Sequence, residues 1–349
     1  MATTLALEPV TADDHSAMDG WLALATVARA HDLPALAPPC PLEHSRRLTW
    51  PDVEVRAWVL RDGAEVVAAA ELRLPLRDDP GNGYPQLVVA PHRRRRGIGR
   101  RLVGHLVEQA AGAGRQRLIF QSQGPLDGDD PGTAFLRSTG ARLELVDIRR
   151  RLRLPASYPA ELVDGTAAVS AGYRIVQWVG ATPEHWLDDF AVLVARMSKD
   201  PPSGGLTFAP QQWDAARVRV RDAAIAESGQ RSVVTAAVGP DGHLAAYTEM
   251  FTCVERHGHA GQSDTLVAPA HRGRRLGLRI KMANLELLGR EHPEVDHVDT
   301  FNAADNRWMV AINEAMGFRP LYRLGDWQLE LGDRQSGTTA AISVAASAP

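Results

Sequence analysis

The chain has 349 residues and a formal net charge of −3, so it has no overall positive field with which to hold nucleic acid. Its length suits two domains. The only cysteines, Cys40 and Cys253, are too few for a disulfide framework and are typical of a reducing cytosol. Residues 1–10 lack the basic start and apolar core of a signal peptide, and no long apolar run is present. We therefore expect a cytoplasmic protein that is not embedded in a membrane.

Hydrophobic patterning in the first half predicts alternating short strands and helices. The predicted strands are 5–10, 53–60, 64–74, 84–90, 118–121 and 142–154. The predicted helices are 11–30, one that directly follows the fourth strand, and 133–139. Residues 34–41 are rich in proline and are expected to be irregular.

The same order restarts after residue 171. The predicted strands are 173–179, 232–238, 244–253, 262–268, 295–301 and a strand pair within 318–331. The predicted helices are 182–197, 210–227, one after the strand 262–268, and 305–316. We therefore divide the chain into a domain at 1–154, a linker at 155–171, a second domain at 172–332, and a disordered tail at 333–349.

One short pattern occurs twice, at residues 89–99 and 267–277, with a constant offset of 178 residues. Each copy follows a predicted strand and opens a predicted amphipathic helix. A strand, a tight turn of glycine and arginine, and a helix N-terminus together present backbone N–H groups to a pyrophosphate. One copy alone could be an ordinary solvated basic turn. Two copies in the same frame favour a phosphate-binding function.

These residues resemble the signature of the GNAT superfamily of acyl-CoA-dependent N-acyltransferases, Arg/Gln-x-x-Gly-x-Gly/Ala after a strand that ends in Val-x-Pro. The first half matches it at Arg94, Gly97 and Gly99. The second half matches at Arg272 and Gly277 and has an arginine where the first glycine belongs. The resemblance covers roughly residues 5–154 and 172–332.

The resemblance implies an α/β fold with a mixed, mostly antiparallel sheet flanked by helices, duplicated in tandem, and acetyl-CoA as the cofactor. The residues expected to bind the cofactor lie on the strand before each motif, in the motif, and near the end of a later strand. They are Leu87, Val88, Val89, Arg94, Arg95, Arg96, Gly97, Ile98, Gly99, Arg100, Leu266, Val267, Arg272, Gly273, Arg274, Arg275, Leu276, Gly277, Asn302 and Asn306. Arg275 could hinder the approach of a phosphate or supply a contact of its own, and the sequence leaves both open.

The chemistry implied by the resemblance is direct attack of an amine on an acyl thioester, which requires a group that accepts a proton from the amine. The candidate bases are Asp264 and Glu249 in the second half and Glu71 in the first. The alternative for each is an ordinary solvent-facing carboxylate on a strand. Many family members protonate the leaving thiolate with a Tyr, but the corresponding positions here are Asn313 and Leu136. We include Asn313 among the catalytic candidates.

The resemblance places the acceptor pocket near Trp186, Trp213 and the loop 201–205, with core packing as the alternative for the two tryptophans. His271 is expected to be a turn residue. His257 and His259 lie in a predicted hairpin loop without a second set of ligands, so we expect no metal site.

We therefore expect an acetyl-CoA-dependent N-acetyltransferase that modifies a primary amine of a small molecule, with catalysis in the second half. The first half either binds CoA as a structural ligand or is active as well, and the sequence leaves both open. The alternatives are a non-catalytic acyl-CoA-binding regulator and an acetyltransferase that acts on protein N-termini or lysines. No nucleic-acid or membrane partner is expected, and the sequence leaves an oligomer open.

Overall fold

The computed structural model describes residues 6–128 and 130–332, apart from the side chains of Arg256 and His257. The predicted tail at 333–349 lies outside these residues. No helix in the described part of the chain has the length and apolar content that a bilayer span needs.

The described residues form twelve strands and nine α-helices. The strands are β1 (Leu7–Val10), β2 (Val53–Asp62), β3 (Glu65–Pro75), β4 (Asn82–Val89), β5 (Arg117–Gly124), β6 (Arg142–Arg153), β7 (Arg174–Val179), β8 (Gln230–Val238), β9 (Leu244–Cys253), β10 (Arg256–Val267), β11 (His297–Ala303) and β12 (Arg319–Glu330). The helices are α1 (His15–Asp32), α2 (Pro41–Arg46), α3 (Ile98–Gly112), α4 (Pro131–Ser138), α5 (Ala160–Val169), α6 (Leu187–Met197), α7 (Ala215–Glu227), α8 (Leu276–Glu291) and α9 (Arg307–Ala315).

All twelve strands belong to one sheet, in the order β1-β2-β3-β4-β5-β12-β6-β11-β10-β9-β8-β7. The pairs β4–β5 and β10–β11 are parallel. The other pairings are antiparallel, which confirms the expected mixed, mostly antiparallel sheet. Helices pack against this sheet in both halves.

The last strands of the two halves are exchanged. Strand β12 ends the second half but pairs with β5 of the first half, and β6 ends the first half but pairs with β11 of the second. The two exchanged strands also pair with each other at the centre of the sheet. Strand β12 runs without a break from Arg319 to Glu330, so the predicted strand pair within 318–331 is wrong.

The helices that open at the two motifs owe their position to one buried face. In α3, the apolar residues Leu102, Val103, Leu106 and Ala110 are buried, as their spacing predicts. Residues Ile280, Leu287 and Leu288 do the same in α8. Two helices were not predicted. Helix α2 begins within the proline-rich stretch with Pro41 at its first position, and α5 lies inside the segment expected to be a linker.

Candidate active site

Each half contains a parallel strand pair that opens toward the motif. Strand β4 pairs with β5 only at Asn82 and Gly83, although β4 continues to Val89. Strand β10 pairs with β11 only between His259 and Gly261, although it continues to Val267. Beyond these points the strand edge that faces the opening has no strand partner among the residues that the structure describes. The backbone of the predicted cofactor-binding residues on β4 and β10 therefore borders two clefts.

The loop after each cleft has the same backbone geometry in both halves. Arg95 and Gly97 take left-handed φ values of 62° and 81°, and their counterparts Gly273 and Arg275 take 78° and 52°. Each loop thus has one glycine and one arginine at its two left-handed positions, in opposite order. Glycine adopts this conformation without strain, whereas an arginine there is disfavoured. The loops end where α3 and α8 begin, so unpaired N–H groups of the first helical turn lie at both.

The side chain of Arg275 lies away from this backbone turn. Its guanidinium Nη1 is 3.2 Å from the position that a Cβ on Gly165 would occupy, which places the guanidinium against α5. Ser170, the residue directly after α5, accepts at its hydroxyl from Nη1 of Arg279 on α8 at 3.0 Å. The segment expected to be a linker therefore flanks the second loop.

The arginine that begins each motif braces its own loop. Arg94 donates from Nε to the carbonyl of Val89 at 3.0 Å and pairs with Asp32 at 2.6 Å. Arg272 donates to the carbonyl of Val267 at 3.1 Å and pairs with Asp200 at 2.7 Å. Both guanidinium groups are thus already engaged. This arrangement favours a structural role for them and leaves phosphate binding to other groups.

The first loop holds more unpaired positive charge than the second. Arg95, Arg96 and Arg100 are exposed and have no hydrogen bond or ion pair to any residue that the structure describes. In the second loop, Arg274 donates to the carbonyl of Ala270 at 2.9 Å. Unpaired guanidinium groups beside free backbone amides fit a polyphosphate. The first loop fits one better.

A cavity of about 420 Å³ lies beside β10 in the second half. We call it the acidic cavity because Asp264 is the one acidic residue of its lining. Its walls include Trp213, predicted to lie here, and Trp50, contributed by the first half. The full lining is Trp50, Val194, Met197, Ser198, Gln211, Trp213, Arg221, Ile225, Gln230, Phe251, Ser263 and Asp264.

Asp264 combines access to this cavity with a perturbed environment. Its carboxylate accepts a hydrogen bond from the Tyr247 hydroxyl at 2.9 Å. Burial raises the pKa of Asp264, although the Tyr247 hydrogen bond and the charge of Arg221 oppose that shift. A carboxyl with a raised pKa is a stronger base than an ordinary aspartate. The strand register shifts between Gln262 and Thr265, which marks a bulge at this position.

Glu249 is engaged on both of its oxygens. One oxygen pairs with Arg221, and the other accepts from the Ser232 hydroxyl at 2.7 Å. The side chain is 1% exposed. A carboxylate held in this way supports the cavity wall and is a poorer proton acceptor than Asp264.

The first half has a counterpart of this arrangement without the free carboxylate. Glu71, which corresponds to Glu249, is buried and pairs with Arg47 at 2.6 Å. Gln86 stands where the second half has Asp264 and accepts from Arg47 at 3.0 Å. A second cavity of about 420 Å³ lies here, and we call it the arginine cavity. Its lining is Arg29, Pro39, Cys40, Glu43, His44, Arg46, Arg47, Trp50, Arg73, Gln86, Ser228 and Gln230.

The predicted amides of the second half lie together at the end of β11. Asn313 is fully buried on α9, and its Nδ2 donates to Oδ1 of Asn302 at 3.0 Å. The Oδ1 of Asn313 is buried and has no hydrogen-bond partner among the described residues. Asn306 caps α9 by accepting from the backbone of Met309 at 3.2 Å. Asn306 is therefore used by its own helix, whereas Asn313 retains a free acceptor.

Two other predicted acceptor-pocket features lie elsewhere. Trp186 packs against the apolar cluster beneath α6 and does not line the acidic cavity. The loop 201–205 packs against β6, where the Gly205 N–H donates to the carbonyl of Glu144 at 3.2 Å. The ring of His271 shares a hydrogen bond of 2.9 Å with the Tyr173 hydroxyl, as suits a turn residue.

One group of potential metal ligands occurs among the described residues, and it was not predicted from the sequence. His259, His297 and Asp299 place their ligand atoms within 4.8 Å of one another. However, both oxygens of Asp299 accept from Arg151, at 2.6 and 2.8 Å. A guanidinium paired in this way competes with a cation for the carboxylate. The side chain of His257 lies outside the described residues.

The two cysteines are paired, contrary to expectation. The structure joins Cys40, at the start of α2, to Cys253, at the end of β9, across 213 residues. The expectation of two separate thiols is wrong because the halves share one sheet and an interface, which brings these distant positions together.

Comparison with known proteins agrees with this geometry. A model of the acetyltransferase (GNAT) family matches residues 26–128. A solved structure of a tandem GNAT protein from the clavulanic acid biosynthesis pathway is 33% identical, with a TM-score of 0.80, over 95% of this chain and 100% of that one. The chain belongs to the GNAT family. It is a tandem GNAT acetyltransferase, as the sequence predicts.

Two further solved structures share the GNAT fold. A GCN5-related N-acetyltransferase from Sphaerobacter thermophilus is 16% identical, with a TM-score of 0.62, over 94% of this GNAT chain and 96% of its own. A putative acetyltransferase from Pyrococcus horikoshii is 12% identical, with a TM-score of 0.57, over 95% and 90%. At these identities the likeness concerns the fold alone. No curated protein matches the chain.

Several residues of this GNAT site were not found from the sequence. Tyr247 could have been, because strand alternation puts it on the same face of β9 as Glu249. Arg47 and Arg221 could not have been predicted, because no local sequence feature shows that each of them will pair with a buried glutamate. Trp50 belongs to the first half and lines the acidic cavity of the second, and no feature of the nearby sequence predicts this.

Proposed function

We propose that this tandem GNAT protein transfers an acetyl group from acetyl-CoA to a primary amine of a small molecule, and that the second half performs the transfer. The observation that carries this proposal is the carboxylate of Asp264. It lies on the wall of the acidic cavity, three residues before the strand end at Val267 that leads into the second loop. In this proposal Asp264 accepts the proton at the cavity, and the loop that follows Val267 holds the diphosphate.

The residues present fit acetyl-CoA in both halves. The left-handed turns at 95–97 and 273–275 leave backbone N–H groups at the starts of α3 and α8 for the diphosphate. In the first half, Arg95, Arg96 and Arg100 add positive charge. The free edge of β4 or β10 can hold the pantetheine arm through backbone hydrogen bonds. When bound, acetyl-CoA supplies the acetyl group as a thioester.

Asp264 is the proposed proton acceptor for the amine. An aliphatic amine is mostly protonated at neutral pH and must lose a proton before its nitrogen can attack a carbonyl carbon. The amine nitrogen then bonds to the acetyl carbon, the carbon–sulfur bond breaks, and the thiolate takes up a proton. Tyr247 positions the Asp264 carboxylate through the 2.9 Å hydrogen bond.

Asn313 occupies the position where many GNAT enzymes carry a tyrosine. We propose that Asn313 positions the arm of the cofactor together with Asn302, and that water protonates the thiolate. The support for this role is the 3.0 Å hydrogen bond by which Asn313, itself fully buried, holds the partly exposed side chain of Asn302.

The size and walls of the acidic cavity favour a small acceptor. It measures about 420 Å³ and is bounded by Trp50, Trp213 and Phe251. That volume falls within the usual range of small-molecule sites. The similar tandem GNAT protein belongs to the clavulanic acid pathway, which makes a small molecule, and this also favours a small-molecule amine.

The test is release of free thiol from acetyl-CoA by the full chain, with and without a panel of small amines. We expect release that depends on the added amine. Binding of acetyl-CoA without amine-dependent release would favour the non-catalytic regulator. Release only with peptides that carry a free N-terminus or lysine would favour a protein acceptor.

A further inference from the structure

The two cavities adjoin each other across the two halves of the chain. Trp50 and Gln230 line both of them, and each comes from the half opposite to one of the cavities. The arginine cavity also receives Ser228 from the second half. Each half therefore helps to close the pocket of the other, and both pockets depend on the same interface.

Their charges differ. The acidic cavity contains one arginine, Arg221, whose guanidinium is paired with Glu249 and Asp222. The arginine cavity contains four arginines and one carboxylate, Glu43. Burial and the neighbouring Arg47 lower the pKa of His44 to about 4, so His44 is neutral at pH 7. The positive charge of the arginine cavity at neutral pH therefore comes from its arginines alone.

The four arginines are not equally engaged. Arg47 donates to Glu71 and Gln86, and Arg29 donates to the carbonyl of Ala37 at 3.1 Å. Arg46 and Arg73 have no hydrogen bond or ion pair to any residue in the described part of the chain. Arg46 is exposed, whereas Arg73 is partly buried. A partly buried guanidinium with all its donors unused is costly unless something pairs with it.

We propose that the arginine cavity binds the carboxylate or phosphate group of a small amine, with Arg73 as the principal anchor. A planar guanidinium can hold either oxyanion through two parallel hydrogen bonds. The cavity shares Trp50 and Gln230 with the acidic cavity, so an amine whose acid group is held here lies next to the pocket that Asp264 lines. Binding of an acid group in this cavity implies that the acceptors of the proposed acetyl transfer are amines that also carry an acid group. Only that assignment rests on the proposed function, because anion binding is measured without acetyl-CoA.

The test is the thermal midpoint of the full chain at fixed ionic strength with matched acidic and neutral amines. β-Alanine is compared with β-alaninamide, and 2-aminoethyl phosphate with ethanolamine. We expect at least one acid, at millimolar concentration, to raise Tm by about 2 °C more than its neutral partner. The pair that responds distinguishes a carboxylate ligand from a phosphate ligand.

Arg73→Met should abolish this difference. Burial and the neighbouring Arg47 disfavour the charge of Arg73, whereas Glu71 and Glu43 favour it, so Tm of the ligand-free variant is measured beside the wild type as the check on folding. Arg46→Met, at an exposed position, should weaken the difference several-fold. Arg319→Met is the control, since Arg319 is also exposed and lies on β12, away from the lining. Equal shifts for acid and neutral amine, no shift at all, or an unchanged difference in Arg73→Met would overturn the proposal. Loss of acetyl transfer with the acid-specific shift retained would overturn only the proposed function.

Discussion

Trp327 on the last strand of the chain stands directly opposite Phe120 on β5, deep in the core of the first half. The indole is 1% exposed, and its Nε1 donates to the Ser122 hydroxyl at 3.0 Å. The first half therefore completes its core with a residue more than 170 positions beyond residue 154, the proposed end of the first domain. The exchange of β6 and β12 makes the stability of each half depend on the other.

Trp327→Ala should destabilise the whole chain. Removing a buried tryptophan costs about 3–5 kcal/mol of unfolding free energy through lost burial and a new cavity. Urea denaturation followed by circular dichroism measures the change. Trp308→Ala is the control, because Trp308 is 72% exposed and its loss should change stability by less than about 0.5 kcal/mol. A similar small change in Trp327→Ala would show that β12 is not part of the first core.

The unpaired arginines of the first loop should carry much of its affinity for acetyl-CoA. We expect replacing Arg95, Arg96 and Arg100 by glutamine to weaken binding in the first half by at least about tenfold, since exposed charge-assisted contacts contribute around 0.5–1 kcal/mol each. Isothermal titration calorimetry measures the affinity and stoichiometry. Arg231→Gln, also exposed but on β8, should leave both unchanged. An undiminished affinity in the triple variant would place the diphosphate elsewhere.

Lys281 on α8 should make the stability of the protein depend on pH. It is 1% exposed, and burial lowers its pKa to about 7 from an ordinary value of 10.5. Between pH 7 and 10.5 the unfolded chain holds the proton that the folded chain releases, so this contribution to stability rises with pH across that range. Below pH 7 the buried charge penalises folding by a few kcal/mol.

Lys281→Met should therefore raise Tm at pH 6–7 and flatten the rise toward pH 10. Differential scanning calorimetry across this range measures both effects. Lys199→Met is a matched control because Lys199 is exposed and is the only other lysine in the chain. If Lys281→Met were less stable than the wild type at pH 6, the lysine would have a stabilising partner there.

Arg275→Gly should relieve backbone strain in the second loop. Arg275 holds a left-handed φ of 52°, at the position where the first loop has Gly97. Glycine adopts this conformation freely, and relief of the strain is worth about 1 kcal/mol. The midpoint of urea unfolding should increase accordingly. Gly97→Ala, at the corresponding position of the first loop, should lower this midpoint. A shift of the midpoint in the same direction in both variants would contradict the similar backbone geometry of the two loops.

The local features of the fold were predictable from sequence, and its long-range pairings were not. The apolar spacing of Leu102, Leu106 and Ala110 defined the buried face of α3, because a helix repeats every 3.6 residues. Periodicity shows which face of a helix or strand is buried, but it does not show which strand pairs with which. The exchange of β6 and β12 could therefore not be predicted from the sequence. The pairing of Cys40 with Cys253 and the reach of Trp50 into the opposite half follow from that same interface.

The site was predictable to the same degree. Two copies of a motif in one frame located both loops, and strand position singled out Asp264 and Glu249. Their difference could not be predicted, because it depends on Arg221 and Ser232, which occupy both oxygens of Glu249. The role of Asp264 stays a prediction that only chemistry can test.

The most direct measurement is the rate of amine-dependent thiol release from acetyl-CoA in the wild type, in Asp264→Asn, and in Asp13→Asn, the same substitution at an exposed aspartate outside both cavities. We predict that Asp264→Asn lowers kcat by about 10²–10⁴-fold and leaves the Kd for acetyl-CoA unchanged, since the amide cannot accept the proton of the amine. Asp13→Asn should remain within about twofold of the wild type, because Asp13 lines neither cavity. Full turnover in Asp264→Asn would contradict the assignment of acetyl transfer to the second half.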